Sequence, residues 1–374
     1  MTDEPKEIAV PEADRKHFRS RLLRWYRRHK RSLPWRQNVT AYRVWISEVM
    51  LQQTRVDTAA PYFERFMAAF PDVRRLAGAD LEQVLKLWEG LGYYSRARNL
   101  HRAARLILSQ YGGAFPSRYE DVLNLPGVGP YTAAAICSIA FGQPYPVVDG
   151  NVARVLARYF DLEISATDGR GKKVYRKLAK ALLAPRRPGE FNQALMELGA
   201  VVCVPGEPHC RGCPVRTGCR ALRNGTQHLR PVRKKRPPAP HYTVAVGVIW
   251  RDGEILVTRR PEDGLLGGLW EFPGGKLEAG ETLEECVQRE IQEELGLHVA
   301  VRGKITVVRH AYSHFRITLH AFHCQYLAGT PHCSACTGFK WVPVAELNRL
   351  PFPRANKRVV EILQREISAS QTGD

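Results

Sequence analysis

Two carboxylates, Glu48 and Asp149, sit in stretches that push their proton affinities in opposite directions. Glu48 lies in VWISEVMLQQT, where a helix gives it Val44, Trp45 and Leu51 as i−4, i−3 and i+3 neighbours. A carboxyl on so apolar a face is desolvated, so its pKa rises and it can hold a proton near neutrality. A core glutamate bonded to a backbone group or an arginine would read the same way. Asp149 lies in VVDGNVARVL at the N-cap of a helix. Capping is its ordinary use there, and the positive helix end favours the ionised form. One protonated and one ionised carboxyl are what cleavage of a glycosidic bond requires. The first protonates the leaving group, and the second stabilises the cationic sugar. A base inside a duplex must first be flipped out.

Cys203-x6-Cys210-x2-Cys213-x5-Cys219 places four thiolates in one loop after a helix. That set suits an iron–sulfur cluster or structural zinc, and spacing alone leans to zinc. Arg211, Arg216 and Arg220 lie among these cysteines and could face phosphates. LPGVGPYT, residues 125–132, joins two helical segments through Gly127, Val128 and Gly129, with Tyr131 and Thr132 opening the second. Converging N–H groups and a positive helix end make a sequence-independent phosphate site, although any corner between two helices could use those glycines. Further on, Glu290, Glu293 and Glu294 share one helix face at i, i+3 and i+4. Such hard oxygen donors suit Mg²⁺ on a diphosphate, and a solvated acidic helix would look alike. Cys333-x2-Cys336, near His320, His323, Cys324 and His332, reads as a polar turn rather than a metal site, because strand side chains alternate in direction.

The elements that must position these groups fall into two halves. At 374 residues the chain should hold two domains. Residues 1–14 are polar and acidic and expected to be disordered. From Arg15 the periodicity is helical, with segments near 17–30, 40–51, 56–69, 80–89, 95–111, 117–124, 131–141, 151–159, 171–183 and 189–202. Residues 223–241 read as a linker, with RPVRKKR followed by PPAP. After His241 the pattern turns to alternating strands, with one clear helix at 282–295, strands at 304–309 and 315–327 and a last helix at 355–366. This half is α+β.

The net charge of +19 points to a polyanion partner, and without an amphipathic anchor or lipidation signal nucleic acid is favoured over a membrane. The longest apolar run, 133–142, is too short to span a bilayer, and no charged-then-apolar leader opens the chain. Nine cysteines, four of them within residues 203–219, indicate metal ligands in a reducing compartment rather than a disulfide framework. The expectation is a monomer in a bacterial-type cytoplasm, held at the nucleoid by DNA.

Residues 20–222 resemble the MutY family of adenine DNA glycosylases in LPWR, SEVMLQQT, WEGLGYYSRARNL, LPGVGPYT, DGNVARVL, FNQALMELGA and the cysteine loop, all in order. The resemblance implies a helix-hairpin-helix glycosylase domain over 15–222, with a 4Fe-4S cluster on Cys203, Cys210, Cys213 and Cys219. It implies excision of adenine opposite 8-oxoguanine or guanine in duplex DNA. Glu48 would protonate the adenine and help activate water, Asp149 would stabilise the sugar cation, and Tyr131 and Asn151 would position around it. Trp35, Arg36, Leu51 and Gln193 match the adenine pocket; Gln53 and Tyr93 match residues that wedge into the duplex. The endonuclease III branch carries a lysine where this chain has Tyr131. A phenol cannot form its Schiff base, so a glycosylase without strand cleavage is expected. The VPGEPH loop, residues 204–209, departs from the basic loop usual in relatives.

GGKLEAGETLEECVQREIQEELGL resembles a complete Nudix box, with Gly275, Glu281, Arg289, Glu290, Ile291, Glu293, Glu294, Gly296 and Leu297 at its intervals. Residues 242–368 are accordingly expected to form a Nudix domain, followed by a tail at 369–374. AVGVIWRDGEILVTRR, LWEFPGGK and PFPRANKRVVEIL are similar to the MutT family of 8-oxo-dGTP pyrophosphatases, where the residue matching Asn356 contacts the oxidised base. HAYSHFRITL resembles the loop by which adenine glycosylases recognise 8-oxoguanine, implicating Tyr312, Ser313 and His314. Glycosylases of this family carry a decayed box, so an intact one leaves two readings. The domain reads 8-oxoguanine in DNA, or it also hydrolyses 8-oxo-dGTP with Mg²⁺.

Overall fold

The computed structural model describes residues 10–232, 238–312 and 314–371. Helical periodicity yields α1 (Glu12–His29), α2 (Ala41–Leu51), α3 (Val56–Ala69), α4 (Val73–Ala77), α5 (Leu81–Trp88), α6 (Ser95–Tyr111) and α7 (Tyr119–Leu123). There follow α8 (Pro130–Phe141), α9 (Gly150–Tyr159), α10 (Gly169–Leu182), α11 (Pro188–Val201) and the single turn α12 (Arg220–Arg223). Two compact units result, one from residues 10–77 and 102–232, the other from 78–101 and 238–371. No helix among the described residues is long and apolar enough to cross a membrane.

The first unit is all-helical. Phe18 and Leu22 of α1, Leu156 of α9, Tyr175 and Leu182 of α10, and Phe191 and Leu198 of α11 form its main core. Helix α2 packs on α8 and α3 with Trp45, Ile46 and Met50 fully buried. Two glycines set how closely α11 approaches its neighbours. A Cβ on Gly189 would lie 2.4 Å from the Ser138 carbonyl oxygen, and one on Gly199 would lie 2.7 Å from Cβ of Asn151. Helix α1 begins at Glu12, so residues 12–14 are helical rather than tail, and α4 is a helix that periodicity missed because five residues are too few to show it. The expected linker starts late. Arg230 is buried against Asp161 at 2.9 Å and Glu163 at 2.7 Å, and its carbonyl and that of Gln227 accept from Arg158 Nε. Residues 233–237, the rest of the basic run, lie outside the described residues.

In the second unit seven strands form one sheet: β1 (His241–Arg251), β2 (Glu254–Arg259), β3 (Trp270–Glu271), β4 (Gly274–Lys276), β5 (His298–Ala311), β6 (Arg316–Ala328) and β7 (Gly338–Pro343). The order is β3-β2-β1-β6-β5, with β4 on β1, β7 on β2, and a parallel β1–β6 pair among antiparallel ones. Alternation along β1 splits the core. Val246 and Val248 face α14 (Arg354–Gln371), while Ala245 and Ile249 face α13 (Leu283–Leu295). Helix α13 starts on a capping box between Thr282 and Glu285 and ends at Gly296 in the left-handed region, φ 65°. Strand β7 was not expected from the sequence, and β5 and the last helix run longer than expected.

The segment 78–101 belongs to this unit through polar bonds. Glu82 accepts from Trp270 Nε1 at 2.8 Å, Lys86 donates to the Leu350 carbonyl at 3.0 Å, and Arg98 donates to that of Gly267 at 2.6 Å. Buried Glu89 accepts from Phe352 N at 3.0 Å and pairs with Lys86 and Lys357. Cys333 and Cys336 form a disulfide, which corrects the all-thiol expectation. The turn they close caps α13, with Ser334 N and His332 N donating to the carbonyls of Glu294 and Leu295.

Gly199→Ala tests the helix approach. Alanine is the better helix former, yet the Cβ must displace Asn151, so we expect a loss of about 1–3 kcal/mol in urea unfolding. A variant as stable as the parent would contradict that close packing.

Candidate active site and nucleic-acid interface

Glu48 is delivered by α2 into a cleft of about 360 Å³ in the first unit. Trp35, Arg36, Leu51, Gln53, Tyr131, Asp149, Asn151 and Gln193, all singled out by sequence, line the same cleft. Glu48 itself is only 6% exposed. Burial raises its pKa to about 7, a rise that Asp149 adds to and that Tyr131 and Arg36 oppose. Tyr131, in the first turn of α8, donates from Oη to Glu48 Oε2 at 2.6 Å and approaches Met196 Sδ at 3.6 Å. Burial and the two nearby carboxylates raise the phenol's own pKa, so it remains a donor.

Asp149 is the N-cap of α9, accepting from Val152 N at 2.6 Å on one oxygen and from Asn151 Nδ2 at 3.0 Å on the other. These bonds and Arg154 favour its charge, yet burial outweighs them and its pKa also rises. The expectation that its surroundings act opposite to those of Glu48 therefore needs correcting. Both carboxyls are desolvated, and they differ in donors: Asp149 has two, Glu48 a single phenol.

Helix α11 supplies a residue that sequence reasoning missed. Glu197, 1% exposed, accepts from Arg31 N at 3.0 Å, Arg31 Nε at 2.8 Å and Arg36 Nη2 at 2.8 Å, which holds it ionised with a pKa of about 2. It fixes Arg36 at the cleft wall. Its position four residues after Gln193, on the same helical face, was the available signal. Gln193 accepts from Tyr26 Oη at 3.4 Å, and Trp35 packs edge-on to Phe63. Gln53 is exposed with φ 59°, a strained conformation for a residue other than glycine.

The hairpin forms as expected. Gly127 takes φ 75°, buried Val128 donates to the Leu125 carbonyl, and Gly129 caps α8 without a side-chain acceptor. No side chain caps the start of α8, whose first residue, Pro130, has no N–H, so the amides that follow it are the donors available to an anion there. Thr132 is buried and accepts from Gln52 Nε2 at 3.3 Å, so its side chain supports the turn rather than reaching DNA.

Cys203, Cys210, Cys213 and Cys219 line one small cavity with Arg158 and Arg216. Burial, and then the other sulfurs, raise the thiols of Cys210 and Cys219, and push Cys213 to about 12. Four crowded sulfurs that disfavour one another's charge fit a cationic group bound by all four. Among the described residues no three His, Cys, Asp or Glu converge on a point that would hold a single metal ion. Helix α9 ties this loop to the cleft. Arg154 donates to the Cys203 carbonyl at 2.7 Å, to Asn151 Oδ1 at 2.8 Å and to the Gly199 carbonyl at 2.7 Å. Arg158 donates to Cys203 Sγ at 3.3 Å and to the Val204 carbonyl at 2.7 Å.

In the second unit Arg289 bonds Glu281 at 2.8 Å, Glu290 at 3.1 Å and Glu293 at 3.2 Å. Glu290 lies against Gly275, where a Cβ would meet its carboxylate at 2.1 Å. Glu294 accepts from Gly274 N at 3.4 Å, and burial, Glu271 and Glu290 raise it to about 7. The carboxylates match Mg²⁺ in kind, but among the described residues they do not close around a common point. Tyr312 stacks on Phe315 at 4.8 Å, and His314 meets Tyr93 edge-on at 6.5 Å. A wedge residue and a recognition-loop residue, read from separate motifs, thus come together. Ser313 lies outside the described residues. Asn356 is buried, and its Oδ1 accepts from Phe272 N at 3.1 Å.

Residues 46–182 match the HhH-GPD superfamily of base excision DNA repair proteins, and residues 245–361 match the NUDIX domain family. Adenine DNA glycosylases of Rattus norvegicus and Homo sapiens are each 37% identical to this chain. The alignments cover 94% and 93% of it and 79% and 74% of those proteins. A thermostable thymine-DNA glycosylase of known structure superposes with a TM-score of 0.52 at 29% identity, over 57% of this chain and 98% of its own.

The raised carboxyl of Glu48 carries a sign. Its folded pKa of about 7 exceeds the unfolded 4.5, so folding favours the protonated form and stability is lost as pH rises between those values. Glu48→Gln should then be more stable than the parent at pH 8 by on the order of 3 kcal/mol, with the gap vanishing below pH 4.5. Urea unfolding at the two pH values measures this, and a pH-independent gap would count against it.

Proposed function

The chain belongs to the family of adenine DNA glycosylases, and from that premise we propose that it excises adenine paired with 8-oxoguanine or guanine in duplex DNA. The observation that carries the chemistry is the Tyr131 bond to buried Glu48 in a cleft shared with Asp149. A nucleotide rotated out of the stack enters this cleft, with Trp35, Arg36, Leu51 and Gln193 around its base. Glu48, protonated, donates to a ring nitrogen of adenine. The N-glycosidic electron pair leaves with the base, and Asp149 faces the oxocarbenium sugar. Glu48, now a carboxylate, takes a proton from the water that adds to the sugar. Asn151 holds the second oxygen of Asp149 and so fixes where its charge points.

The hairpin amides grip a phosphate, which positions without reading sequence. The four cysteines would hold a 4Fe-4S cluster, whose contribution when bound is to cross-link the loop that Arg158 and Arg154 join to Asn151. Tyr312, Ser313 and His314 are the residues we assign to recognition of 8-oxoguanine, with Tyr93 against His314. A second reading, hydrolysis of 8-oxo-dGTP, is favoured by the intact packing of the box around Gly275 and Arg289.

Two measurements test this reading. Single-turnover release of adenine from an A:8-oxoguanine duplex should fall at least about 10²-fold in Glu48→Gln. Release at the parental rate would sink the assignment. Borohydride should trap no more adduct than a protein lacking an active-site amine, since Tyr131 cannot form an imine. For the second activity, full-length protein with Mg²⁺ should yield 8-oxo-dGMP above the level of Glu294→Gln, and equal yields would remove that reading.

A further inference from the structure

Helix α10 reads GRGKKVYRKLAKAL, with six Lys and Arg and neither Asp nor Glu. Gly171, Tyr175, Leu178, Ala179 and Leu182 are buried, which leaves Lys172, Lys173, Arg176, Lys177 and Lys180 exposed along the opposite face. Like charges at i and i+4 recur three times on that face, and each such pair destabilises the helix. An ordinary solvated face alternates signs and avoids the cost. Here Arg176 and Lys180, one such i, i+4 pair, lie along an open concavity.

The concavity beside it has a definite lining. An open groove of about 610 Å³ runs between Pro144, Tyr145 and Pro146 on one wall and Arg176 and Lys180 on the other. Tyr145 stacks on Tyr119 with ring centroids 4.4 Å apart. Tyr119 Oη in turn donates to the carbonyl of Pro130, the first residue of α8, at 3.4 Å. Arg176 lies close enough to act electrostatically on that phenol. A chain of contacts thus links the groove to the first residue of α8: Arg176 acts on Tyr119, which stacks on Tyr145 and bonds the Pro130 carbonyl, and neither the tyrosine pair nor the groove is used in releasing adenine.

We propose that this groove carries the sugar–phosphate backbone of the bound duplex beyond the flipped nucleotide, extending the track that begins at the hairpin. Arg176 and Lys180 meet phosphates, and the tyrosine and proline walls lie against deoxyribose. The inference rests on the reading of the chain as a DNA glycosylase.

The test uses full-length protein and a lesion-free duplex, with the dissociation constant followed against salt concentration. The double variant Arg176→Glu, Lys180→Glu should bind more weakly by at least about tenfold near 0.1 M salt. Its slope of log K against log salt should be shallower by about 2. Arg176→Lys with Lys180→Arg keeps the charge and should keep the slope. Single-turnover adenine release at saturating protein is measured in parallel and should stay within about twofold for both. An unchanged slope in the charge-reversed protein, with adenine release intact, overturns the groove and leaves the glycosylase standing. Failure of the parent itself to release adenine would remove the premise instead.

Discussion

The structure depends on a carboxyl kept out of water with one phenol as its hydrogen-bond partner. Taking Glu48 into an apolar site would be unfavourable if it stayed charged, and the protein meets that by letting it keep a proton. The bond from Tyr131 crosses between α2 and α8, two helices separated by about eighty residues of chain, so it exists only if their packing is correct. Nearly every other feature of the cleft serves that packing. Trp45, Ile46 and Met50 fill α2's far side, and the glycines of α11 let it close against α8 and α9.

Arginine does the remaining work of alignment. Arg31 and Arg36 converge on Glu197, while Arg154 and Arg158 gather carbonyls from the ends of α9, α11 and the cysteine loop. A guanidinium suits this task because its planar donors reach several carbonyls at fixed angles and never lose their charge. Such a network fixes orientation more than it adds stability, since each buried cation must be desolvated first. Arg36 at the cleft wall is thereby braced from behind by Glu197.

What could be read from sequence follows how local each signal is. Nine of the ten helices expected between residues 15 and 202 lie within a few residues of their expected bounds, because periodicity is a property of neighbours. The apolar flanks of Glu48 announced its burial, whereas the N-cap position of Asp149 gave its hydrogen bond to Val152 N but not its desolvation. Glu197 was not, because its partners Arg31 and Arg36 lie more than 160 residues away, and no window contains both. Segment 78–101 reads as ordinary helix, yet Glu82, Lys86, Glu89 and Arg98 bond to strands and turns over 160 residues later. The disulfide escaped because composition argued for thiols, whereas Cys333 and Cys336 answer to a local turn that caps α13.

The raised proton affinity of Asp149 sharpens the catalytic argument instead of weakening it. Burial first, and then the charge of Asp149, disfavours ionisation of Glu48, so the resting cleft tolerates one negative charge more easily than two. Asp149, with Val152 N and Asn151 Nδ2 already donating to it, is the one better fitted to carry that charge. In the proposed reaction, proton transfer from Glu48 would place a second anion in the same desolvated space as the sugar becomes cationic. The burial that keeps Glu48 protonated, with the charge of Asp149 adding to it, would then be offset by attraction to the sugar, an interaction present only as the bond breaks. Binding that strengthens only on the way to the transition state accelerates the chemistry, whereas binding already complete in the ground state does not. A lone buried acid would lack this coupling. The pair, held apart by different donors and brought together by the packing of α2, α8 and α9, supplies it.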